Sequence, residues 1–248
     1  MNSKNAEYHF EMSRYIDLEL YHSVERSHPY YEEMIQEMLK QLEKHCTEKR
    51  TYKVLELGAG TGILTLELLK HPKLEITALD VDEKCCAVLK EHLKSKRCKV
   101  VLADAAQYCE ENKFDVVISS FAHDHIHYDK RFIFAKKIME NLKLGGVYIV
   151  GDEILGDYKT PKQRHQALLA YHCHIVDKSL REGKYRLAQI EINALESGVD
   201  MVGDFKRHEK MFEEEMVSAG MKKAFKKKMG PIRITKIGGV FVYVWEKG

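Results

Sequence analysis

The stretch VLELGAGTGILTLELL, from Val54 to Leu69, joins an apolar run to a helical pattern through a turn that contains three glycines. The apolar run has the length of a buried strand, and the leucines that follow recur at helical spacing. Glycine lacks Cβ, so a ligand can approach the backbone of such a turn closely. The sequence therefore predicts a strand, a ligand-binding turn and a helix, in that order.

Composition is that of a soluble globular protein. The 248 residues are 44% hydrophobic and 31% charged, and the net charge of +2 gives no global reason to expect nucleic acid or an acidic membrane as a partner. The N-terminus lacks the apolar core of a secretory signal, and no run approaches a membrane span of about 18 apolar residues. The six cysteines show no C-x-x-C spacing, so we expect a cytoplasmic enzyme with reduced thiols.

Strand and helix patterns alternate from Tyr52 onward, which predicts an α/β fold with a parallel sheet covered on both faces. The predicted strands lie at 53–57, 75–80, 99–103, 115–119, 147–151, 224–229 and 238–246. The predicted helices between them lie at 62–70, 83–95, 105–110, 130–141 and 209–219.

Two helical additions flank this pattern. Residues 1–50 are predicted to form an N-terminal helical cap, with Ser27 capping a helix over residues 30–44. Residues 51–248 form the predicted main domain, and residues 154–206 read as a helical lid inserted after the fifth strand.

The glycine spacing excludes two common nucleotide sites. A dinucleotide fingerprint needs a glycine three residues after Gly60, and that position is Ile63. No Gly-Lys-Ser/Thr follows, so a phosphate-binding P-loop is excluded as well.

Acidic residues at three strand ends indicate a different ligand. Glu56 would repel a pyrophosphate but suits a ligand that carries a cation. Asp80 is placed to accept hydrogen bonds from ribose hydroxyls, and Asp104 is placed to accept one from an adenine amino group. A ligand with a cationic centre, a ribose and an adenine would satisfy all three carboxylates.

With these motifs the chain resembles the class I S-adenosylmethionine-dependent methyltransferases of the small-molecule type. The resemblance is carried by LELGAGTG (55–62), ALDVDE (78–83), LADAA (102–106), FDVVISSFAHDHI (114–126) and LKLGGVYIVGDE (142–153). It implies a Rossmann-like, doubly wound, seven-stranded sheet whose last strand is antiparallel. It also implies S-adenosyl-L-methionine as the cofactor.

The resemblance assigns cofactor-binding roles to matching positions, with Ser120 and Phe121 near the reactive sulfonium. The implied cofactor-binding residues are Glu56, Gly58, Ala59, Gly60, Gly62, Asp80, Val81, Asp104, Ala105, Ser120 and Phe121.

Three histidines follow the predicted fourth strand, where exocyclic-amine nucleic-acid methyltransferases carry an NPPY-like segment. Because histidine titrates near neutral pH, His123 is the first candidate for a general base and His125 the second. No metal ligand is assigned. A metal-assisted reaction stays open, through His123, His125 and His127 with Asp124, or through Asp152 and Glu153.

The helical additions favour a small-molecule substrate, because a cover over the site would exclude water. Tyr8, Tyr15 and Tyr21 of the N-terminal region, and His165, Tyr171 and His172 of the insertion, are the side chains expected to contribute to this cover.

We therefore expect methyl transfer to oxygen or nitrogen of a small molecule, with no membrane partner and no prediction of the oligomeric state. The alternatives are an RNA or protein methyltransferase and a non-catalytic binding module. The basic segment 221–236 carries seven Lys/Arg residues. Its position is that of an edge strand, where lysines prevent strand pairing, and this reading is favoured over an RNA-binding stripe.

Overall fold

A seven-stranded sheet is the centre of the fold in the computed structural model, which describes Ser13, residues 17–93 and residues 97–248. The strands are Tyr52–Leu57 (β1), Leu74–Asp80 (β2), Cys98–Leu102 (β3), Phe114–Ser120 (β4), Leu142–Leu155 (β5), Met221–Gly230 (β6) and Gly238–Lys247 (β7). Their order is β3-β2-β1-β4-β5-β7-β6. β7 runs antiparallel to β5 and β6, and the other neighbouring pairs are parallel, as the sequence predicted.

Eight α-helices occur among the described residues. They are Leu18–Val24 (α1), Tyr31–His45 (α2), Ile63–Leu68 (α3), Glu83–His92 (α4), Arg131–Asn141 (α5), Pro161–Arg181 (α6), Tyr185–Asp200 (α7) and Glu209–Ser218 (α8). Short 3-10 turns lie at Glu25–Ser27, His123–His125 and Tyr128–Lys130.

Both faces of the sheet are covered by apolar side chains. Helices α2, α3 and α4 pack on one face, and α5 and α8 pack on the other. A Cβ at Gly151 in β5 would lie 2.5 Å from the sulfur of Met38, so α2 lies directly on the strand. This helix therefore contributes to the layer that covers the sheet.

Two local predictions were wrong. Ser27 does not cap α2: its hydroxyl donates to the carbonyl of Val24, and α2 begins after Tyr30, which has a left-handed backbone without a side-chain cap. The predicted helix at 105–110 is a turn. Asp104 holds this turn, because its side chain accepts from the backbone N–H of Ala106 at 2.8 Å and its carbonyl accepts from the amides of Gln107 and Tyr108.

The helical insertion is a hairpin of α6 and α7 that follows β5. Helix α6 begins at Pro161 with Thr160 as its N-cap, which is the expected sequence signature of a helix start. Leu155 at the end of β5 packs against Leu168 and Tyr171 of α6 in a small apolar cluster. The division at residue 50 stays a prediction. Tyr8 and Tyr15 lie outside the described residues.

The basic segment forms the edge strand β6. Lys223, Lys226 and Lys227 pair with Glu213, Glu209 and Glu37, respectively. These lysines are neutralised by acids of α8 and α2, which agrees with the edge-strand interpretation of this segment. None of the described helices is long and apolar enough to cross a membrane.

A buried ion pair anchors the chain where it returns from the insertion to the sheet. Glu215 of α8 accepts from Arg207 Nε at 3.1 Å and from His123 Nε2 at 2.9 Å, and its side chain is fully buried. Burial alone would raise the pKa of Glu215, but the hydrogen bond from His123 and the charge of Arg207 lower it from 4.5. The pair therefore stabilises the fold at pH values above 4.5, the ordinary pKa of the glutamate. Its contribution is lost as pH falls through the lowered pKa of Glu215 in the folded state.

We expect Glu215→Ala to lower the free energy of unfolding by about 3–5 kcal/mol, because Arg207 would keep a buried charge without its partner. Urea denaturation near neutral pH measures the change. Glu214 is exposed on the same helix, so Glu214→Ala is the matched control, with an expected change within about 0.5 kcal/mol. A loss below about 1 kcal/mol at Glu215 would show that the buried pair is not an anchor.

Candidate active site

A cavity of about 620 Å³ opens beyond the carboxyl ends of β1, β2 and β4. The register aligns Glu56 of β1 with Ala78 of β2 and Ile118 of β4, so these strands end at one edge. Nine of the eleven predicted cofactor-binding residues line the cavity: Gly58, Ala59, Gly60, Asp80, Val81, Asp104, Ala105, Ser120 and Phe121. The sequence motifs thus converge on one wall.

The glycine turn after β1 needs glycine for its backbone. Gly58, Gly60 and Gly62 have φ of 65°, 53° and 92°, in the left-handed region that a Cβ disfavours. A Cβ at Gly58 would also lie 2.5 Å from the Cβ of Ala122. The turn therefore lies flat against the loop after β4 and presents backbone to the cavity.

Asp80 holds the turn in place and also faces the cavity. Its Oδ2 accepts from the Gly60 amide at 2.7 Å, and its Oδ1 accepts from the Asp82 amide at 2.8 Å. Burial raises the pKa of Asp80. Two oxygens offer about four acceptor positions, so the carboxylate has capacity left for the hydroxyls of a ligand.

Asp104 lines the cavity in the loop after β3. Its Oδ2 accepts hydrogen bonds from the side-chain Nε2 of Gln107 and from Lys130 Nζ, each at 3.0 Å. Together with Val81, Ala103 and Ala105, this loop offers both a polar group and apolar side chains to a ligand.

Glu56 and Gly62 do not line the cavity. Glu56 is 2% exposed, and its Oε2 accepts from the hydroxyl of Thr65 at 2.7 Å. Burial, with the charge of Asp80, raises the pKa of Glu56 to about 8. This carboxyl therefore supports the turn from behind, and its geometry does not favour the expected contact with a cationic ligand. Gly62 is the residue before α3 and shapes the start of that helix.

Phe121 has a strained backbone at the centre of the site. Its φ of 46° lies in the left-handed region, which is unusual for an aromatic residue and is typical of functional turns. Its amide donates to the carbonyl of Gly151 at 2.9 Å. Its ring packs against His28 and Tyr31 at centroid distances of 5.1 and 5.6 Å. The strained turn therefore places the ring between the loop after β4 and the segment at the start of α2.

His123 lies outside the cavity lining, which argues against its predicted role as a general base. The ring packs edge-on against Phe134 and Phe212, and Nε2 donates to Glu215. Burial lowers the pKa of His123, although Glu215 opposes the shift. His123 therefore supports the fold, because it hydrogen-bonds to the same buried Glu215 that pairs with Arg207.

His125 lines the cavity. Its Nδ1 donates to the carbonyl of Gly203 at 2.6 Å, which leaves Nε2 as the proton-accepting atom of the neutral ring. Burial alone would lower the pKa of His125, but the charges of Asp124 and Asp204 raise it. The three histidines of this loop do not converge on one point, because His127 instead accepts from the amide of Asp129.

The second half of the cavity is built from residues that the sequence did not single out as ligand-binding. Glu25 and His28 come from the segment before α2, Glu153 from β5, and Glu191 from α7, while Lys206 follows the insertion. They carry no motif, and they meet only because segments far apart in sequence fold together. Glu153 was considered only as a possible metal ligand.

The three side chains of the insertion that were expected to cover the site lie elsewhere. His165 is exposed to solvent. Tyr171 is buried and donates its hydroxyl to Glu153, and His172 Nδ1 lies 3.1 Å from Glu191 Oε2. Tyr171 and His172 thus contact the acids of the cavity from behind. Tyr21, the described member of the N-terminal tyrosines, does line the cavity.

Glu25 carries a carboxyl that titrates near neutrality. Burial raises its pKa to about 7, against the opposing charge of His28. The hydroxyl of Tyr21 hydrogen-bonds to this carboxyl. A cavity-facing group with such a pKa is suited to proton transfer.

Comparison with known proteins supports the methyltransferase resemblance. The sequence profile of a family described as a methyltransferase domain matches residues 54–146. A malonyl-[acyl-carrier protein] O-methyltransferase of Bacillus anthracis is 28% identical over 135 residues, which is 53% of this chain and 49% of that protein. A polyamine aminopropyltransferase of Clostridium tetani is 37% identical over 83 residues, 29% of this chain and 30% of its own length. The matched stretch thus spans about half or less of these relatives.

Solved structures share the fold along most of the chain. A protein described as a sarcosine dimethylglycine methyltransferase from Galdieria sulphuraria superposes with a TM-score of 0.64 at 13% identity, covering 87% of this chain and 86% of the other. Phosphoethanolamine N-methyltransferase 2 of Haemonchus contortus, solved with S-adenosyl-L-methionine, gives 0.59 at 14% identity, covering 94% and 60%. At such identities the likeness concerns the fold alone. The profile match over residues 54–146, together with the glycine turn at the strand ends, supports a class I S-adenosylmethionine-dependent methyltransferase domain.

Proposed function

We propose that the protein transfers a methyl group from S-adenosylmethionine to an oxygen or nitrogen atom of a small-molecule substrate. The observation that carries this proposal is a single cavity with two different halves. The glycine turn and the strand-end acids form one half, and buried polar side chains from the N-terminal segment and α7 form the other. Its volume of about 620 Å³ lies within the range of about 300–1,000 Å³ that small-molecule sites occupy.

The first half fits the cofactor. We assign the ribose hydroxyls to Asp80 and the adenine to the wall of Val81, Asp104 and Ala105, with the turn at Gly58 and Gly60 against the rest of the cofactor. When bound, S-adenosylmethionine supplies the methyl group. Ser120 and Phe121 stand where the first half meets the second, so a substrate in the second half would lie next to the methyl group.

The residues of the second half orient the acceptor and remove its proton. Orientation is a large part of catalysis in a displacement reaction. Two cavity groups can accept a proton near neutral pH, namely His125 through Nε2 and Glu25 through its carboxylate. His125 is our first choice, because its Nδ1 is fixed by the carbonyl of Gly203 and its Nε2, 3.7 Å from Asp124 Oδ1, is the ring atom that can accept a proton.

The surroundings of the cavity favour a small substrate over RNA or protein. Asn193 and Ser197 of α7 line the cavity across from the turn, so the insertion lies over the site. The basic strand β6 pairs three of its five lysines with glutamates, which reduces the positive charge available to a nucleic acid.

A panel of small amines, phenols and carboxylic acids, assayed by S-adenosylhomocysteine formation, tests the proposed function. We expect transfer to at least one of these classes. Transfer confined to RNA or protein acceptors would overturn the small-molecule assignment.

We expect Asp80→Ala to weaken S-adenosylhomocysteine binding by about 1.5–3 kcal/mol, because a charged acceptor is lost from a largely buried site. Isothermal titration calorimetry measures the affinity. Asp129 is exposed, so Asp129→Ala is the matched control and should bind as the wild type does. An unchanged affinity in a folded Asp80→Ala protein would refute the ribose assignment.

His125→Ala should lower kcat by about 10²–10⁴-fold, the usual effect of removing a general base. Because a protonated imidazole cannot accept a proton, wild-type kcat should fall as pH falls through the raised pKa of His125. The variant should lose this limb of the pH–rate profile and keep its affinity for S-adenosylhomocysteine.

His165→Ala, at an exposed histidine of α6, is the control for the loss of an imidazole and should keep full activity. Glu25→Gln separates the two bases. If His125→Ala keeps wild-type kcat while Glu25→Gln loses it, Glu25 is the base and the assignment to His125 is wrong.

A further inference from the structure

Three potential metal ligands converge in the substrate half of the cavity. His28 follows the 3-10 turn after α1, Glu153 lies near the end of β5, and Glu191 lies on α7. One ligand atom from each lies within 4.8 Å of the others. The three side chains are only 4%, 8% and 7% exposed, and all three residues line the cavity.

The geometry around His28 is that of ligands around an ion. Its Nε2 lies 3.2 Å from Glu153 Oε1 and 3.2 Å from Glu191 Oε1, yet neither ring nitrogen makes a hydrogen bond of normal geometry. Two ligands that each stand about 2.1 Å from one transition metal are about 3.0–3.4 Å apart at octahedral or tetrahedral angles. The two nitrogen–oxygen separations fall in this interval.

Both carboxylates are also held from outside, as metal ligands commonly are. The hydroxyl of Tyr171 donates to Oε1 of Glu153, the same oxygen that faces His28. His172 Nδ1 lies 3.1 Å from Glu191 Oε2, the oxygen that does not face His28. These contacts fix the direction in which each carboxylate presents its other lone pairs.

The charge of the region suits a cation despite the nearby lysine. Lys206 Nζ lies 2.9 Å from Glu153 Oε2. It also contacts Asp124 at 2.7 Å and Asp204. Two further carboxylates therefore offset the ammonium charge, and Glu153 and Glu191 keep negative charge for the ligand.

We propose that His28, Glu153 and Glu191 bind one divalent first-row transition-metal ion. One imidazole and two carboxylates suit Zn²⁺, Mn²⁺ or Fe²⁺. The proposal deepens the proposed function and rests on it for the role of the ion. Three protein ligands leave coordination positions open toward the cavity, where an oxygen or nitrogen atom of the substrate can bind. The ring of Phe121 packs on His28, so the ion lies beside the junction of the two halves.

The competing interpretation is a histidinium paired with two carboxylates and no metal. Full-length protein, stripped with a chelator and dialysed, is titrated with Zn²⁺ by calorimetry and with Co²⁺ by visible absorption. We expect one equivalent of each ion, with cobalt bands that report nitrogen and oxygen ligation.

His28→Ala and Glu191→Gln should each weaken Zn²⁺ binding by at least about tenfold. His165→Ala is the matched control and should bind Zn²⁺ as the wild type does. Thermal unfolding without metal identifies any variant that fails to fold. Glu191→Gln keeps the shape of the side chain, and it tests the site if His28→Ala does not fold.

Absence of stoichiometric binding by the wild type, or equal binding by the folded variants, would overturn the metal site in favour of the histidinium pair. Titration of the same samples with S-adenosylhomocysteine keeps the two proposals apart. Cofactor binding without metal binding refutes only the metal site, and metal binding without cofactor binding refutes the methyltransferase proposal.

Discussion

The buried ammonium of Lys206 is the interaction on which the substrate half of the cavity depends. A charge in the interior costs several kcal/mol unless it is closely paired. Burial alone would lower the pKa of Lys206, but Asp124, Asp204 and Glu153 raise it well above its ordinary value. These carboxylates come from the loop after β4, the segment after α7 and β5. One cation thus ties the helical insertion to the sheet.

The position of Lys206 also gives the carboxyl groups of the cavity different pKa values. Glu153 lies 2.9 Å from Lys206 Nζ, and the charge of this ammonium lowers the pKa of Glu153 against the effect of burial. Glu25 lacks such a close cation pair, and burial raises its pKa to about 7. Carboxyls whose environments move their pKa values apart can serve different roles in one site. Here one is suited to hold a cation and the other to exchange a proton.

The two halves of the cavity have different structural origins. The cofactor half follows from the parallel strands, since ligands of open α/β sheets bind beyond the carboxyl ends of the strands. The substrate half comes from additions to that sheet, namely the segment before α2 and the hairpin of α6 and α7. Phe121, in its strained conformation, lies between them. Changes in the additions would therefore alter the proposed substrate half and leave the proposed cofactor half unchanged.

The sequence by itself determined the sheet, its parallel strands and most residues of one wall of the cavity, because strand periodicity, glycine turns and strand-end acids are local signals. It could not decide where side chains point once segments pack. Two histidines of one loop, separated by a single residue, have different surroundings: His123 contacts α8, and His125 lines the cavity. Glu56 supports the turn from behind. The cluster joins His28 to Glu153 and Glu191, which lie more than a hundred positions later in the chain, and only tertiary packing, which desolvates and pairs their charges, brings them together.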